Sequence, residues 1–369
     1  MENQRICIIG DGLSGLTSAI AINNLKNIDV HLIARKSKKI HDNRTTAISE
    51  SNLKFLKDNI SNLNTKIFWP SKSIELYYET KNEKINFLNI KEKNKSLMHV
   101  YKNEKFKKIL LKELKIKKIK VIHKEIKNLN KIKNYDLVIL CLGSDSKIYD
   151  KITNFRSINK DYKEIAVTGH VKHKLKKINT SQFFLKEGPL AILPFSKNSF
   201  SFVWSLNNFF YKKNIKTINY LIKNKVKNIL KIKHSIKIEN LQSYPIKLGL
   251  KREYHSGNIL ILGEGLHTVH PVAGQGFNLI LRDVKKLKEI LGYYSSLGIA
   301  LKNSDALNDF YLQRKPENII FGLGIDVTHK FFKKNKFLDP IKELFLKNIS
   351  ENRFIKKISK TISNQGLSK

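Results

Sequence analysis

The chain has 369 residues, 41% of them hydrophobic, which is enough to build the cores of two domains. Its two cysteines, Cys7 and Cys141, lie in apolar runs typical of buried strands, which excludes a disulfide framework and indicates a reducing compartment. The net charge of +39 comes from lysines spread over nearly every polar segment, and only eight of the 70 basic residues are arginine, so the composition argues against a nucleic-acid-binding protein.

No apolar run approaches the roughly 18 residues that a membrane-spanning helix needs. The first residues enter a strand directly, without the basic and apolar segments of a leader. We therefore expect a cytoplasmic protein, either free or peripheral on the inner face of the membrane. An anionic membrane surface would attract the positive charge, and the lysine-rich stretches 172–177 and 330–336 are candidates for that contact, the second beside Phe331, Phe332 and Phe337.

The N-terminus has the pattern of a dinucleotide-binding βαβ unit. Residues 5–9 and 30–33 predict two strands, with a helix between them that ends near residue 25. The turn before the helix is a GxGxxG sequence formed by Gly10, Gly12 and Gly15. In this context the first glycine permits the tight turn, the second admits a pyrophosphate and the third allows close helix–strand packing.

The segment up to residue 150 mixes strands and helices. Residues 50–57 have helical spacing, and residues 74–78 and 85–88 alternate like sheet strands. We predict a loop at 100–104 that enters an amphipathic helix at 106–114, and edge strands with solvated lysines within 115–133. Residues 136–142 predict a buried strand that ends at Gly143.

From about residue 152 to residue 248 the pattern changes to strands with few glycines. Residues 188–195 and 200–204 predict a sheet hairpin, and residues 214–232 predict a helix. The apolar side chains of the hairpin either line a pocket for an aromatic ligand or form ordinary sheet core, and both interpretations stay open; these side chains are Leu190, Ile192, Phe195, Phe202 and Trp204.

The stretch 259–285 combines a buried strand, a glycine turn and a helix. The aliphatic strand 259–262 leads to a turn at 263–265, then to a loop with two histidines, and the GQG sequence at 274–276 opens a helix. Unpaired backbone N–H groups and the helix dipole at such a terminus favour an anionic or electron-poor group. Glycines let the backbone come into contact with a flat ligand.

The last part of the chain predicts closing helices and a tail. Helical spacing is present at 306–315, 321–332 and 341–349, and a solvated tail is expected from about residue 359.

The residues from 270 to 283, HPVAGQGFNLILRD, match every fixed letter of an HPxAGQGFNLxxRD run. This run resembles the second flavin-binding motif of the single-component flavin monooxygenases related to para-hydroxybenzoate hydroxylase, and it is most similar to their ubiquinone-biosynthesis branch. The resemblance implies an α/β fold: a Rossmann-like FAD-binding domain with an inserted mixed β-sheet substrate domain and C-terminal helices. We predict that residues 1–70, 95–150 and 245–300 form the FAD-binding domain, that 71–94 and 151–244 form the substrate domain, and that 301–369 form the C-terminal helices and tail.

The resemblance also implies FAD as the cofactor and NAD(P)H as a co-substrate. The residues it assigns to the cofactor are Gly10, Gly12, Leu13, Ser14, Gly15, Arg35, Arg44, Asn103, Gly143, Glu264, Gly274, Gln275, Gly276, Phe277 and Asn278. No metal site and no catalytic acid or base is evident; His270 and Pro271 are candidates for the pocket, and His267 and His270 are expected to order the loop. The chain departs from the family at two acidic positions, which are Ala34 here, followed by Arg35, and Leu142, and Tyr149 stands near a family arginine.

The function implied is an FAD-dependent monooxygenase that uses NAD(P)H and O2 to hydroxylate a polyprenylated phenol in ubiquinone biosynthesis. Its expected partners are this substrate, a membrane surface and other quinone-biosynthesis enzymes, with no nucleic acid. Two alternatives remain within the same fold. One is a flavin reductase or dehydrogenase that makes no hydroxylated product, and the other is a degenerate flavoprotein that serves as an assembly component.

Overall fold

The computed structural model describes residues 3–35, 42–80, 83–129, 132, 134–152, 157–333, 335, 338–349, 357, 361 and 364. The strands are β1 Gln4–Ile9, β2 Ile28–Ala34, β3 Thr45–Ser49, β4 Trp69–Ser71, β5 Ser73–Glu79, β6 Lys84–Lys91, β7 Met98–Lys102, β8 Lys120–His123, β9 Leu137–Leu140, β10 Ser157–Lys172, β11 Thr180–Leu185, β12 Gly188–Ser196, β13 Ser199–Asn207, β14 Lys237–Lys251, β15 His255–Ser256, β16 Ile259–Ile261 and β17 His267–Thr268. The helices are α1 Leu13–Ile22, α2 Glu50–Asn59, α3 Asn103–Ile116, α4 Asn208–Lys213, α5 Ile218–Leu230, α6 Gly276–Ser296, α7 Ala306–Phe332 and α8 Asp339–Ile349.

A six-stranded sheet carries the N-terminal βαβ unit. Its order is β15-β16-β9-β1-β2-β8, and all neighbours are parallel except the edge pair β15 and β16. The central strands β1 and β9 are aliphatic runs that are buried on both faces, as parallel strands covered by helices must be. This confirms the predicted strands around residues 5–9, 30–33 and 136–142, while α1 ends at Ile22, before residue 25.

A second, eight-stranded sheet has the order β17-β14-β10-β13-β12-β11-β5-β6. It is mixed, because β5 and β11 are parallel and the other pairs are antiparallel. The predicted hairpin is β12 and β13, and α5 packs on it. Four of the five hairpin side chains are fully buried in the core against α5, which confirms the sheet-core interpretation for them; they are Leu190, Ile192, Phe202 and Trp204. Phe195 is half-buried, with the Lys102 ammonium 4.5 Å from its ring centroid.

The two sheets are connected through the loop region before α6. The strand β14 continues in the larger sheet to Lys251, and β17, which precedes the GQG sequence, pairs with it. The six-stranded, mainly parallel sheet and the eight-stranded mixed sheet agree with a Rossmann-like unit that carries an inserted sheet. The assignment of residue ranges to domains stays a prediction.

Two local predictions were wrong because long-range pairing decides the structure. Residues 100–102 of the predicted loop belong to the strand β7, which pairs with β3 on one side and β4 on the other, and residues 103 and 104 begin α3. The described residues of the lysine-rich segment 115–133 contain the end of α3 and one edge strand, β8, which is parallel to β2. Neither pairing partner is close in sequence, so the local pattern gave no sign of it.

The predicted helices 306–315 and 321–332 are one continuous helix, α7, with Pro316 inside it. A proline removes the hydrogen bond to the carbonyl of the residue four positions earlier. Here that residue is Leu312, which is 58% exposed, so water can replace the missing donor. Among the described helices, none combines the length and the apolar character needed to cross a membrane.

Candidate functional site

Three neighbouring parallel strands end in glycines at the same edge of the six-stranded sheet. Gly10 follows β1, Gly143 comes shortly after β9, and Gly263 comes shortly after β16, and all three have positive φ, of 121°, 80° and 78°. Ligands of open α/β sheets bind at this carboxyl edge, where the strand order reverses. The three turns therefore outline the mouth of a binding site.

The glycines of the GxGxxG turn have two different functions in the packing. A Cβ on Gly10 would lie 2.1 Å from the Cys141 carbonyl oxygen, and a Cβ on Gly15 would lie 1.9 Å from the Gly10 carbonyl oxygen. These two glycines are needed by the protein itself. A Cβ on Gly12 would have no protein atom within 4 Å, and the same holds for Gly143. Both positions leave open space, as a site for an external group requires.

Helix α1 begins directly after Gly12, so its first backbone N–H groups face that open space. Leu13 and Ser14 are the first two residues of the helix and are half-buried. A Cβ on Gly263 would lie 2.9 Å from the Ser14 side chain, which brings the turn after β16 against the start of α1. Two motifs that are far apart in sequence thus meet here.

The second helix start is α6, which is preceded by Gly274 with φ 60° and by Gln275, and whose first residues are Gly276, Phe277 and Asn278. The Asn278 side chain is buried; its Oδ1 accepts from the Ser49 N–H at 2.9 Å, and its Nδ2 donates to the Ala47 carbonyl at 3.0 Å. This side chain therefore ties the helix start to β3, and only its backbone N–H is available to a ligand. The buried Gln275 Oε1 has no hydrogen-bond partner among the described residues.

A cavity of about 420 Å³ lies between β3, the start of α2 and the start of α6. Gly274 and Gln275 form part of its wall, and lysines line its outer part; these are Lys54, Lys57 and Lys95. Asn364, from the C-terminal segment, closes one side, where its Oδ1 accepts from the Ser51 N–H at 3.1 Å. Most of the predicted tail lies outside the described residues, but Asn364 itself is packed on the protein.

Arg44 belongs to a polar network beside this edge. Its Nε and Nη2 both donate to the Asp42 carboxylate at 2.8 Å, and Asn103 Nδ2 donates to the same carboxylate at 3.0 Å. Burial disfavours the charged form of Asp42, but the hydrogen bond and charge of Arg44 outweigh it and lower the pKa of Asp42. The exposed Glu264 is close enough to act on Arg44 electrostatically. The predicted residues Arg44, Asn103 and Glu264 are thus near one another.

Tyr149 stands near a family arginine in the sequence, and the structure shows what it contacts instead. Its buried hydroxyl accepts a hydrogen bond of 3.0 Å from the Leu142 N–H, just beyond the end of β9. A Cβ on Gly265 would lie 2.3 Å from its ring. Tyr149 therefore fills the space between the turn after β9 and the turn after β16. Burial raises the pKa of this hydroxyl far above its ordinary value.

The end of β2, where an acid is usual, carries Ala34 and the exposed Arg35. Since β8 lies beside β2, with His123 opposite Ala34, the residues after β8 lie beside Arg35. A surface depression of about 360 Å³ is lined by Arg35, His123, Lys124 and Glu125. Glu125 is the one acid among the lining residues of this depression, and nothing in the local sequence indicates it.

His267 is part of a buried ionic network that joins α6 to α7. Its Nε2 is 2.5 Å from Asp283 Oδ2, and Arg314 Nε donates to Asp283 Oδ1 at 2.7 Å. Arg314 also bonds to Glu317 and Asn318 on its own helix. Burial opposes the ionisation of Asp283, but the charges of Arg314 and His267 prevail and lower its pKa. The Asp283 at the end of the HPVAGQGFNLILRD run is thus a structural acid.

His270 belongs to a second buried cluster, which the sequence did not reveal. Its Nε2 lies 3.1 Å from Glu164 on β10, and the Nε2 of His329 on α7 lies 3.0 Å from the same carboxylate. The Val272 N–H donates to His270 Nδ1 at 3.1 Å. The cluster therefore fixes the loop that carries Pro271 against both the larger sheet and α7. Glu164 and His329 lie far from the motif in sequence, which is why no local signal marks them.

The chemistry of this cluster is that of a hydrogen-bonded carboxylate. The potential ligand atoms of the three side chains lie within 4.8 Å of one another, which is close enough for a metal ion. However, His270 Nδ1 accepts a hydrogen bond, so neutral His270 carries its proton on Nε2 and donates it to Glu164. Burial favours protonated Glu164, but the hydrogen bonds from the two histidines outweigh it and lower its pKa to about 2. Burial lowers the pKa of His270.

Known proteins are similar to this chain over part of its length. A family described as FAD binding domain matches residues 138–296. Ubiquinone biosynthesis monooxygenase COQ6, mitochondrial, of Dictyostelium discoideum is 26% identical over 244 residues, which cover 53% of this chain and 49% of that protein. The 3-demethoxyubiquinol 3-hydroxylase of Escherichia coli (strain K12) is 27% identical over 187 residues, which cover 46% of this chain and 43% of that protein. The chain thus spans about half the length of these curated relatives.

Solved structures share the whole fold. The p-nitrophenol 4-monooxygenase PnpA from Pseudomonas putida DLL-E4 superposes with a TM-score of 0.76 at 14% identity and covers 99% of this chain and 100% of that chain. HpxO of Klebsiella pneumoniae, in a complex with FAD and uric acid, gives a TM-score of 0.72 at 14% identity, with 98% and 97% covered. The predicted fold class is confirmed by these likenesses.

Proposed function

We propose that this chain is an FAD-dependent protein of the para-hydroxybenzoate hydroxylase-like family and that it hydroxylates the aromatic ring of a polyprenylated phenol on the route to ubiquinone. The reaction consumes NAD(P)H and O2, so the protein is a monooxygenase. The observation that carries the proposal is the HPVAGQGFNLILRD run, residues 270–283, placed at the N-terminus of α6 beside the glycine edge of the sheet.

The residues at the edge fit FAD. Gly12 and Gly143 leave open space, and the start of α1 after Gly12 presents backbone N–H groups to it. Gln275 Oε1, which has no partner among the described residues, offers an acceptor. We assign the pyrophosphate to the turn from Gly10 to Gly15, including Leu13 and Ser14. Further contacts are assigned to Arg35, Arg44, Asn103, Gly143, Glu264, Gly274, Gln275, Gly276, Phe277 and the backbone of Asn278. When bound, FAD accepts a hydride from NAD(P)H and activates O2 for the transfer of one oxygen atom.

The chain's own contribution is to position groups and to exclude water. The first N–H groups of α6 favour negative charge at that position. His270, held by Glu164, fixes the loop with Pro271, and Val272 packs into an apolar cluster that includes Phe184 and Phe332. We assign this side of the loop to the substrate, because an aromatic cluster both suits a prenylated phenol and keeps the site dry.

The test is a single-turnover assay with isotopically labelled O2. Purified protein should show flavin absorbance, oxidise NAD(P)H and incorporate one labelled oxygen atom into a prenylated phenol. In cells that lack one ring hydroxylase, the gene should restore quinone. Accumulation of the unhydroxylated precursor in hosts deficient at each ring position in turn would count against the proposal.

The alternative is a flavoprotein of the same fold that does not hydroxylate. It is favoured by the two family acids that are replaced here by Ala34 and Leu142, and by Tyr149, whose hydroxyl accepts from the Leu142 amide. A reductase would oxidise NAD(P)H with no labelled product, and a degenerate assembly component would turn over neither substrate. The isotope assay therefore separates all three.

The substrate class bears on location. A polyprenyl tail resides in the bilayer, so an enzyme that acts on such a substrate must reach it at the membrane surface. We propose that the protein is cytoplasmic and attaches peripherally to the inner face of the membrane, near other quinone-biosynthesis enzymes. Its basic charge supports attraction to anionic lipid, by about 1 kcal/mol for each lysine near the surface.

A further inference from the structure

Helix α7 buries both polar and apolar side chains, such as Phe310 and Phe321, and in addition exposes a row of apolar side chains on its outer face. Arg314, Glu317, Asn318, Asp326 and His329 are buried, whereas four apolar residues are exposed; these are Leu312 at 58%, Ile320 at 57%, Leu323 at 39% and Val327 at 63%. From Pro316 to Phe332 the one exposed charged residue is Lys330. In a chain with 27% charged residues, a helix face of this length without acids calls for a partner.

Helix α8, together with Leu338 just before it, also exposes apolar side chains. Leu338, Ile341, Leu344 and Phe345 are 49%, 66%, 67% and 52% exposed, while Lys342 is buried with its Nζ 3.2 Å from Asp339. The ring centroids of Phe331 on α7 and Phe345 on α8 are 6.1 Å apart, so the two helices meet there. We call the four exposed apolar residues of α7, the three of α8 and Leu338, together, the outer apolar surface.

The outer apolar surface is continuous with the apolar cluster beside the candidate site. Phe331 contacts Phe332 with 5.0 Å between ring centroids, and Phe332 stacks on Phe184 at 3.6 Å. Both Phe184 and Phe332 pack in the cluster that contains Val272, two residues after His270. An apolar molecule held at the outer surface would therefore have aromatic side chains leading to the loop.

We propose that the outer apolar surface docks on an anionic lipid bilayer. The surrounding charge selects this occupant: Lys330 and Lys347 have side chains 63% and 56% exposed, Lys333 is exposed, and the chain carries +39. A second copy would bring like charges together, whereas anionic headgroups neutralise them while the leucines enter the acyl boundary. The docking surface itself is argued from exposure and charge. Only its purpose, access to a prenylated substrate, rests on the proposed function.

The two predicted lysine stretches differ in what surrounds them. In 172–177 the apolar Leu175 is half-buried against the core of the larger sheet, and Lys172 pairs with Glu239 at 3.1 Å. In 330–336, Lys334 and Lys336 lie outside the described residues, as does the neighbouring Phe337. Lys330, which also pairs with an acid (Asp326, 3.0 Å), and Lys333 border the outer apolar surface, so the two stretches differ in their exposed apolar side chains and not in ion pairing. The second stretch is therefore the one that combines charge with exposed apolar side chains.

The test compares two double variants that change the charge equally. L323E/V327E alters the outer apolar surface, and I215E/Y220E alters side chains 54% and 65% exposed elsewhere, so both add two acids and neither disturbs the core. Circular dichroism and flavin absorbance should be unchanged in both. With vesicles of phosphatidylcholine and phosphatidylglycerol, we expect L323E/V327E to lower partitioning by roughly tenfold or more and I215E/Y220E to lower it far less.

The remaining arms separate the competing explanations. Wild-type binding should weaken at high salt and on phosphatidylcholine alone; binding that ignores both would overturn the choice of an anionic bilayer. A dimer in sedimentation velocity that L323E/V327E dissociates, without vesicle binding, would assign the surface to a second copy. Vesicle binding by a protein that hydroxylates nothing would leave the docking surface standing and remove the proposed function. Hydroxylation of a detergent-dispersed phenol without vesicle binding would do the reverse.

Discussion

The carboxyl edge of the six-stranded sheet and helix α7 both contact the loop between β16 and α6, yet they are built in opposite ways. At the edge, glycines bring backbone against backbone and leave open space above Gly12 and Gly143. On α7, long polar side chains such as Arg314 are buried and bond to acids in the protein interior. The edge can therefore lose a ligand without losing the fold, whereas α7 holds the fold through charges that must stay paired.

The largest effect is expected where the ionic network is broken. Arg314→Met removes the guanidinium that faces Asp283 and Glu317, and leaves two buried carboxylates without it. Breaking a buried pair costs about 3–5 kcal/mol, so the free energy of unfolding in urea should fall by that amount. Lys285→Met removes a cation from α6 whose side chain is 60% exposed, and should change stability by less than about 0.5 kcal/mol. Equal effects of the two variants would mean that α7 does not depend on this network.

Gly12→Val tests the edge, since a Cβ there meets no protein atom within 4 Å. We expect unaltered unfolding but a loss of FAD affinity of roughly a hundredfold, or about 2.7 kcal/mol, because the side chain would occupy the space of the pyrophosphate. Gly15→Val is the counterpart, because its Cβ would collide with the Gly10 carbonyl and should destabilise the fold itself. Flavin titration and circular dichroism separate the two. Full retention of flavin by Gly12→Val would refute the assignment of the site.

Glu164→Gln probes the point where the two regions are joined. The carboxylate accepts from His270 and His329, so its replacement should cost about 1–3 kcal/mol in the free energy of unfolding at neutral pH. Because the pKa of Glu164 is lowered from 4.5 to about 2, its contribution is fully present above pH 4.5 and decreases as the pH falls towards 2. The wild type should therefore be more stable than Glu164→Gln throughout the range from pH 7 to pH 5, where the carboxylate is ionised.

Below pH 4.5 that advantage should shrink, as measured by urea unfolding at each pH. The other groups facing the cluster are Tyr162, whose ring packs edge-on to both histidines, and Asp326, which acts on His270 through its charge. Both remain in the variant, so they cancel in the comparison. An advantage that is unchanged at pH 3.5 would show that the two histidines do not lower the pKa of Glu164.

The sequence predicted the glycine edge of the sheet well and helix α7 poorly. The glycine turns, the βαβ unit and the run at 270–283 are local patterns in which each residue has a backbone task, and the strands and helices around them are confirmed. The inward polar face of α7 depends on Asp283 and Glu164, which lie on other elements, so local spacing gave two helices where there is one. Glu164, His329 and Glu125 were missed for the same reason, since strand pairing and helix packing bring them to the site.

The smallest effect is expected at the adenosine end of the cofactor. Here Ala34 replaces the acid of the family that the sequence resembles. Ala34 offers no acceptor for a ribose hydroxyl, but Glu125, two residues beyond β8, lines the depression beside Arg35. If this carboxylate replaces the missing acid, Glu125→Gln should weaken FAD by about 1 kcal/mol, or roughly fivefold, since a single hydrogen bond to an exposed group is at stake. Its side chain is 56% exposed, so stability should not change.

The titration can be made specific to that end of the cofactor. ADP contains the ribose that Glu125 would bind and FMN lacks it, so the variant should weaken FAD and ADP equally and leave FMN unaffected. Lys127→Gln, which removes the cation 3.9 Å from Glu125, is the matched control and should leave ADP binding within experimental error. An unchanged ADP affinity in Glu125→Gln would mean that the edge holds FAD without any acid in that depression, and that the backbone of the glycine turns supplies the affinity.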